Sequence, residues 1–204
     1  ENNEDFVACI GQSVRFDFDH SSGIKYGDGY PHQDYAISQN FIGERLLAAM
    51  KDYNAATCYA VLRRDVWVKS FGMGLRFSSP YANEIYQAMI TYISGKLMSV
   101  NDLYWLNSFE LPPVHDDVSF NRKLSFSVWW RNTRFRDEQN LFVNSLINEL
   151  VVNGIKSSDE ARKIVDKAIR QYVEVELRNK QSGENISQKI VSLFRSWARK
   201  LLSE

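Results

Sequence analysis

The amino-acid sequence predicts a soluble, compact α+β fold, in which a mixed or antiparallel sheet with two packing helices is followed by a three-helix C-terminal region. The first observation is that segments with strand-like apolar alternation lie before residue 136. The second is that apolar residues beyond residue 138 recur at helical spacing. Between residues 12 and 130 the predicted order β, α, β, β, α, β has the outline of a split βαβ sandwich. That outline hosts many unrelated functions.

Length and composition predict one ordered domain. The chain has 204 residues, of which 44% are hydrophobic and 25% are charged, which is ordinary for a globular protein and argues against disorder. A boundary is predicted at Pro112-Pro113, between an α+β part (1–112) and a strand plus three-helix part (113–204). We expect the two parts to pack as one compact unit.

Charge and cysteine usage narrow the classes of function. The 25 basic and 25 acidic side chains cancel, which argues against a dedicated nucleic-acid binder but permits a local basic face. No apolar run reaches the ~20 residues of a transmembrane helix. Cys9 and Cys58 allow one disulfide or two buried thiols, so they leave the compartment open. The localisation is therefore left unknown, with a cytoplasmic protein favoured over one whose leader was removed before Glu1. The sequence predicts no oligomeric state.

The first half of the chain is predicted to alternate between strands and helices. Residues 6–18 have the period-two pattern of a half-buried strand, and Gly27-Asp28-Gly29-Tyr30-Pro31 is typical of a loop. Residues 41–53 favour a helix. Thr57–Leu62 and Val66–Phe77 are predicted as two strands.

A second helix of the first half is predicted from its start signal. Ser79-Pro80 combines a capping hydroxyl with a proline at the first helical position. Apolar residues then recur at helical spacing up to Tyr92, and Gly95 is a candidate stop.

The second half is predicted to contain one strand and three helices. Residues 118–135 are predicted as a strand, and a helix over 138–152 is expected to stop at Asn153-Gly154. Ser157 and Glu160 form a capping box for the next helix. The last helix carries a wide apolar stripe, from which Phe194 and Trp197 are predicted to be buried.

The segment 118–136 is the strongest candidate for a binding surface because it has basic residues and no acid. Its basic residues are Arg122, Lys123, Arg131, Arg134 and Arg136. A regular strand would direct Lys123, Trp129 and Arg131 outward, and Arg134 and Arg136 would extend that face. Cations follow a phosphate backbone and aromatic rings stack on bases, while Arg and Trp also anchor protein interfaces. We therefore expect a non-enzymatic component of a larger assembly, without a cofactor or catalytic residues, that contacts nucleic acid or an acidic protein surface.

An alternative function follows from three possible iron ligands. His32 and Asp34 form a His-x-Asp step, and His115 lies further along the chain. Two imidazoles and one carboxylate can hold Fe(II) with open positions. With Arg122, Lys123 and Ser125 after His115, the pattern resembles iron and 2-oxoglutarate dioxygenases. The resemblance implies an Fe(II)-dependent oxygenase with 2-oxoglutarate as cosubstrate.

A second alternative is a small-ligand binding domain. Gly72-Met73-Gly74-Leu75, then Ser79-Pro80-Tyr81 and Trp105, resemble the closing segment of type 2 periplasmic binding proteins and glutamate-receptor ligand-binding domains. In that family the segment is a strand followed by a packing helix. The matching residues include none of the family's ligand-binding residues, so no site is predicted from this resemblance.

Overall fold

The computed structural model describes residues 4–19, 23–30, 35–53, 55–71, 76–108 and 124–178. Its strands are β1 (Phe6–Asp19), β2 (Gly23–Tyr30), β3 (Val61–Leu62) and β4 (Lys96–Ser108). Its α-helices are α1 (Ile42–Lys51), α2 (Arg64–Phe71), α3 (Pro80–Ser94), α4 (Phe126–Arg131), α5 (Arg136–Val152) and α6 (158–178). Short 3₁₀ helices span Ala55–Tyr59 and Thr133–Phe135. The α+β class is confirmed, with helices following the sheet.

Strand β1 is the centre of a mixed sheet. One edge of β1 pairs in parallel with β4, from Phe6 opposite Lys96 onward. Its other edge pairs antiparallel with β3 near its start and with β2 near its end. Because β3 and β2 pair with the same edge of β1 at different levels, the four strands form a sheet that is at most three strands wide. Two reciprocal backbone hydrogen bonds of 2.9 Å between Ile37 and Leu97 continue it beyond β4.

Helix α3 occupies the centre of the core. Almost every residue from Ala82 to Ile93 is buried, and a helix that is buried on all sides must be surrounded by other elements. Helices α1, α2, α4 and α5, together with β1, pack against it. The core cluster also includes α6 residues such as Ala168 and Ile169.

Both ends of α3 are fixed by specific contacts. At its start the Ser79 hydroxyl accepts a hydrogen bond from the Ala82 amide at 3.2 Å, which confirms the predicted cap. At its end the buried Arg45 guanidinium donates to the carbonyls of Tyr92 (2.6 Å) and Ile93 (3.1 Å). These carbonyls lack helical partners, so α1 satisfies the end of α3.

The predictions for β1 and for helices α1, α3 and α5 are confirmed to within a few residues at their ends. Helix α5 stops at Asn153-Gly154, and Gly154 has a φ of 109°, a value that glycine adopts without strain. The capping box is confirmed in part, since the Glu160 amide donates to the Ser157 hydroxyl at 3.2 Å.

Several predictions for the first half are wrong. Residues 27–30 belong to β2 rather than to a loop. Ala55–Tyr59 is a 3₁₀ helix, and only Val61–Leu62 is a strand. The strand predicted from Val66 is helix α2, in which Val66 and Ser70 are buried one turn apart. Buried residues at i and i+4 are typical of a helix. The strand was predicted instead because Val66 and Val68 are β-branched, and β-branched residues favour strands.

The strand predicted over 118–135 is also wrong where the structure describes it. Residues 126–131 form α4 and 133–135 form a 3₁₀ turn. The aromatic residues Phe126, Trp129 and Trp130 have i, i+3, i+4 spacing, so a helix brings all three against Phe142 at centroid distances of 5.8, 5.7 and 6.4 Å. A strand would place Trp129 and Trp130 on opposite faces.

Some predictions fall outside the described residues. These are the Pro112-Pro113 boundary and the last helix with Phe194 and Trp197. Strand β4 was not predicted from the sequence. None of the helices that the structure describes is long and apolar enough to cross a membrane.

Candidate functional site

The predicted contact residues differ in where the structure places them and in whether they are exposed. Lys123 lies outside the described residues. Trp129 is fully buried, so its prediction as a contact residue is wrong. Arg131, Arg134 and Arg136 are exposed, at the end of α4, in the 3₁₀ turn and at the start of α5. We call these three residues the arginine corner.

Trp129 has a structural role behind this corner. Its ring lies 5.7 Å from that of Phe77 and 5.6 Å from that of Phe126. Its indole nitrogen donates to the Glu138 carboxylate at 3.0 Å. Both the apolar ring and the polar N–H therefore have partners inside the fold, and the ring is not available for stacking on a base.

The three arginines of the corner carry positive charges that are not paired with acids in the described part of the chain. None of its three guanidinium groups forms an ion pair with an acid in the part of the chain that the structure describes. Arg134 lies 6.0 Å from the centre of the Phe135 ring. Exposed Val128 lies one turn before Arg131, so an apolar side chain lies on the same face.

Hydrogen bonds hold the backbone of the corner in one conformation. The Gln139 amide donates to the carbonyls of Trp129 at 2.8 Å and Asn132 at 3.0 Å. The Asn132 side chain accepts from the Arg134 amide at 3.0 Å. Gln139 is itself buried, so the turn between α4 and α5 is fixed from inside while the arginine side chains extend outward.

Glu138 is next to the corner but is bound to other groups. Its carboxylate accepts hydrogen bonds from the Ser78 amide (2.8 Å), the Ser78 hydroxyl (2.5 Å) and Trp129. Burial acts to raise the pKa of Glu138, but the hydrogen bonds from Ser78 and Trp129 outweigh it and lower the pKa below its ordinary value of 4.5. The ionised carboxylate ties α5 to the loop before α3.

Glu176 plays a similar part at the start of α4. It accepts from the Ser127 amide at 2.9 Å and the Ser127 hydroxyl at 3.1 Å. An acid at a helix start satisfies free amide groups. Helix α6 therefore supports the element that carries Arg131.

A second group of polar residues lies inside the fold, and the sequence did not predict it. We call it the tyrosine cluster; its members are Tyr35, Tyr53, Thr57, Cys58, Glu84, Tyr92 and Tyr172. The Tyr92 hydroxyl lies 2.9 Å from that of Tyr35 and 2.5 Å from that of Thr57. The Tyr53 hydroxyl donates to Glu84 at 2.8 Å, and the Tyr53 ring meets Tyr172 edge-on at 5.4 Å.

Burial raises the pKa of the Glu84 carboxyl and of the Cys58 thiol in the tyrosine cluster. Burial raises the pKa of Glu84 above its ordinary 4.5, and the hydrogen bond from Tyr53 opposes this only in part. Burial, followed by the nearby Glu84, raises the pKa of the Cys58 thiol to about 12. A thiol of that pKa is protonated at neutral pH and is a poor nucleophile.

The residues that suggested an iron-dependent oxygenase or a small-ligand binding domain lie in other parts of the chain. His32, Asp34 and His115 lie outside the described residues, as do Gly72 to Leu75. Among the residues that are described, no three His, Cys, Asp or Glu side chains are placed to hold a metal ion.

An open cleft of about 460 Å³ is lined by groups of both charges, including Arg63, Asp65 and Lys69, and Lys69 is already ion-paired with Glu149.

No family model, curated protein or solved structure matches this chain.

Proposed function

We propose that the chain is a non-enzymatic binding component of a larger assembly, and that the arginine corner contacts an acidic surface of a protein partner. One observation carries the proposal: three exposed guanidinium groups lie within six residues, on a turn whose backbone is hydrogen-bonded by buried Gln139. None of the three forms an ion pair with an acid in the described part of the chain. A fixed backbone lowers the ordering cost of binding. Arginine can engage a carboxylate through two parallel hydrogen bonds.

An acidic protein surface fits the corner better than nucleic acid does. Single-stranded nucleic acid is held by aromatic faces as well as cations, and Trp129 is buried behind the corner. The apolar neighbour Val128 suits a protein interface, in which arginine and apolar contacts occur together.

The proposal is tested with polyglutamate as a stand-in for an acidic surface. The variant Arg131→Ala, Arg134→Ala, Arg136→Ala is compared with the wild type by titration at several salt concentrations. Exposed pairs contribute about 0.2–1 kcal/mol each, so we expect the loss of three pairs to weaken binding roughly 3- to 150-fold. The salt dependence of the remaining binding should also be weaker.

A matched control removes three positive charges elsewhere. Lys163, Lys167 and Arg170 are exposed on α6, and their replacement by Ala changes the net charge equally. We expect this control to bind polyglutamate nearly as the wild type does. Equal loss in both variants would mean that only net charge matters. Wild-type binding to single-stranded or duplex DNA, but not to polyglutamate, would make nucleic acid the partner.

A further inference from the structure

Helix α2 presents an apolar face to solvent. Trp67, Val68 and Phe71 are 51%, 49% and 39% exposed, and the rings of Trp67 and Phe71 stack at a centroid distance of 5.8 Å. The buried side of the helix, with Val66 and Ser70, is directed into the fold. We call Trp67, Val68 and Phe71 the α2 patch. Neighbouring apolar side chains that are exposed together on a folded domain indicate a contact surface.

The size of the α2 patch decides what kind of occupant it fits. Large apolar side chains offer about 150–250 Å² each, so the exposed fractions of the three residues add up to roughly 300 Å². A stable interface between separate proteins buries about 800 Å² on each partner. A segment of the same chain needs less area, because its tether gives it a high local concentration and it loses little translational freedom on docking.

The sequence beyond α6 contains an apolar stripe that needs such a surface. Its members recur at helical spacing and are Ile186, Ile190, Leu193, Phe194, Trp197 and Leu201. They lie outside the described residues. A single helix of this length is marginal in water unless its apolar face packs against another element.

The linker is long enough for the stripe to reach α2. Helix α6 is described up to residue 178, eight positions before Ile186 (186 − 178). Eight residues span up to about 26–29 Å, which is close to the ~30 Å diameter of a small domain. Helices α2 and α6 contribute to one core, so a linker of this length spans the domain that carries both.

We propose that residues 186–201 form a helix whose apolar stripe docks on the α2 patch of the same chain. Phe194 and Trp197 are three positions apart, so a helix places them on one face. There they meet the stacked rings of Trp67 and Phe71, and aromatic pairs of this kind add to the gain from buried area.

The proposed contact is separate from the arginine corner. Helix α2 is joined through Lys69 to Glu149, whereas the corner includes Arg136 at the start of α5. Thirteen positions along α5 (149 − 136) correspond to about 20 Å. The two surfaces can therefore be tested independently.

The test measures whether the segment covers the patch. Cys9→Ser and Cys58→Ser remove both native cysteines, and Val68→Cys then places a single thiol in the α2 patch. The rate of labelling of this thiol by N-ethylmaleimide is measured at pH 7. Adding Phe194→Asp and Trp197→Asp, which put charges on the stripe, should speed the labelling several-fold.

Two matched controls separate docking from other effects. Gln188→Asp and Ser192→Asp add the same charge to the opposite side of the predicted helix, and they should leave labelling at position 68 unchanged. Val152→Cys places the thiol instead at an 81% exposed site at the end of α5. Labelling at that site should not respond to the two aspartates on the stripe.

Labelling at position 68 that does not change with the stripe substitutions would overturn the proposal. Equal acceleration by the control pair of aspartates, or equal acceleration at position 152, would also contradict it, because the effect would then not depend on the stripe or on the patch. Protection of position 68 that disappears on dilution of the protein would place the segment on a second copy instead.

A second measurement covers the case in which the aspartates prevent folding. Trp67→Ala, Trp197→Ala and their combination are compared with the wild type by urea unfolding as a double-mutant cycle. We expect Trp197→Ala to lower the urea midpoint in the wild type and to lower it much less when Trp67→Ala is present. The same shift in both backgrounds, or no shift in either, would exclude contact between the stripe and the patch.

Discussion

At the scale of single residues, two glutamates on neighbouring helices have pKa values shifted in opposite directions by their different hydrogen bonds and burial. Glu138 accepts three hydrogen bonds and its pKa is lowered. Glu84 accepts one from Tyr53 and its pKa is raised. The two carboxyls therefore affect stability with opposite signs as pH changes.

Glu138→Gln should destabilise the fold at neutral pH. A folded pKa below the ordinary 4.5 means that the carboxylate stabilises the protein above that pH, and that this contribution is lost as pH falls through the folded pKa. Since Glu138 is partly exposed, we expect a loss of about 1–2 kcal/mol. Urea unfolding at pH 7 and pH 3 measures it. A difference that persists unchanged at pH 3 would assign the effect to shape rather than charge.

Trp129→Ala should destabilise the fold by about 3–5 kcal/mol, because it removes a fully buried ring and leaves a cavity. Arg131→Ala, two residues on and exposed, should cost less than about 0.5 kcal/mol. Thermal or urea unfolding compares them. Similar losses for both would mean that Trp129 is not the packed centre of this region.

At the scale of elements, the sequence predicted those helices whose start and stop signals are local. Ser79-Pro80 and Asn153-Gly154 mark the ends of α3 and α5 without help from distant residues. Helices α2 and α4 are short and depend on contacts far along the chain, such as Glu176 with Ser127. Strand β4 exists through its pairing with β1, and neither it nor the tyrosine cluster has a local signature. The arginine corner could be found because a run without acids is visible in the sequence, whereas the burial of Trp129 depends on helix formation.

Gly95→Ala should weaken the junction between α3 and β4. A methyl group there would overlap Val7 Cγ1 and lie 2.9 Å from the Asp5 carbonyl oxygen, so the Val7 side chain and the backbone just before β1 must move. We expect a loss of about 1–3 kcal/mol. Gly43→Ala is the control, since its methyl would meet only the end of the Ile164 side chain at 3.0 Å and alanine favours a helix. Differential scanning calorimetry should show a lower transition temperature for Gly95→Ala alone.

At the scale of the whole molecule, α6 connects the two polar sites. Its Glu176 holds the start of α4, which leads to the arginine corner, and its Tyr172 packs on Tyr53 of the tyrosine cluster. Contacts also cross the predicted boundary, since Ser79 donates to the Leu124 carbonyl at 2.5 Å. These contacts support the prediction that residues 1–112 and 113–204 pack as one unit, which stays a prediction for the chain as a whole.

The parallel pairing of β1 with β4 also has a kinetic consequence. Phe6 lies opposite Lys96, so the first pair of this ladder joins residues 90 positions apart (96 − 6). Closing so long a loop costs chain entropy before the paired strands return any stability. Helices α1 and α3 need only local contacts to begin forming, and they lie inside that loop. We therefore expect the ladder between β1 and β4 to form late, after the helices between these two strands have shortened the distance that the chain must close.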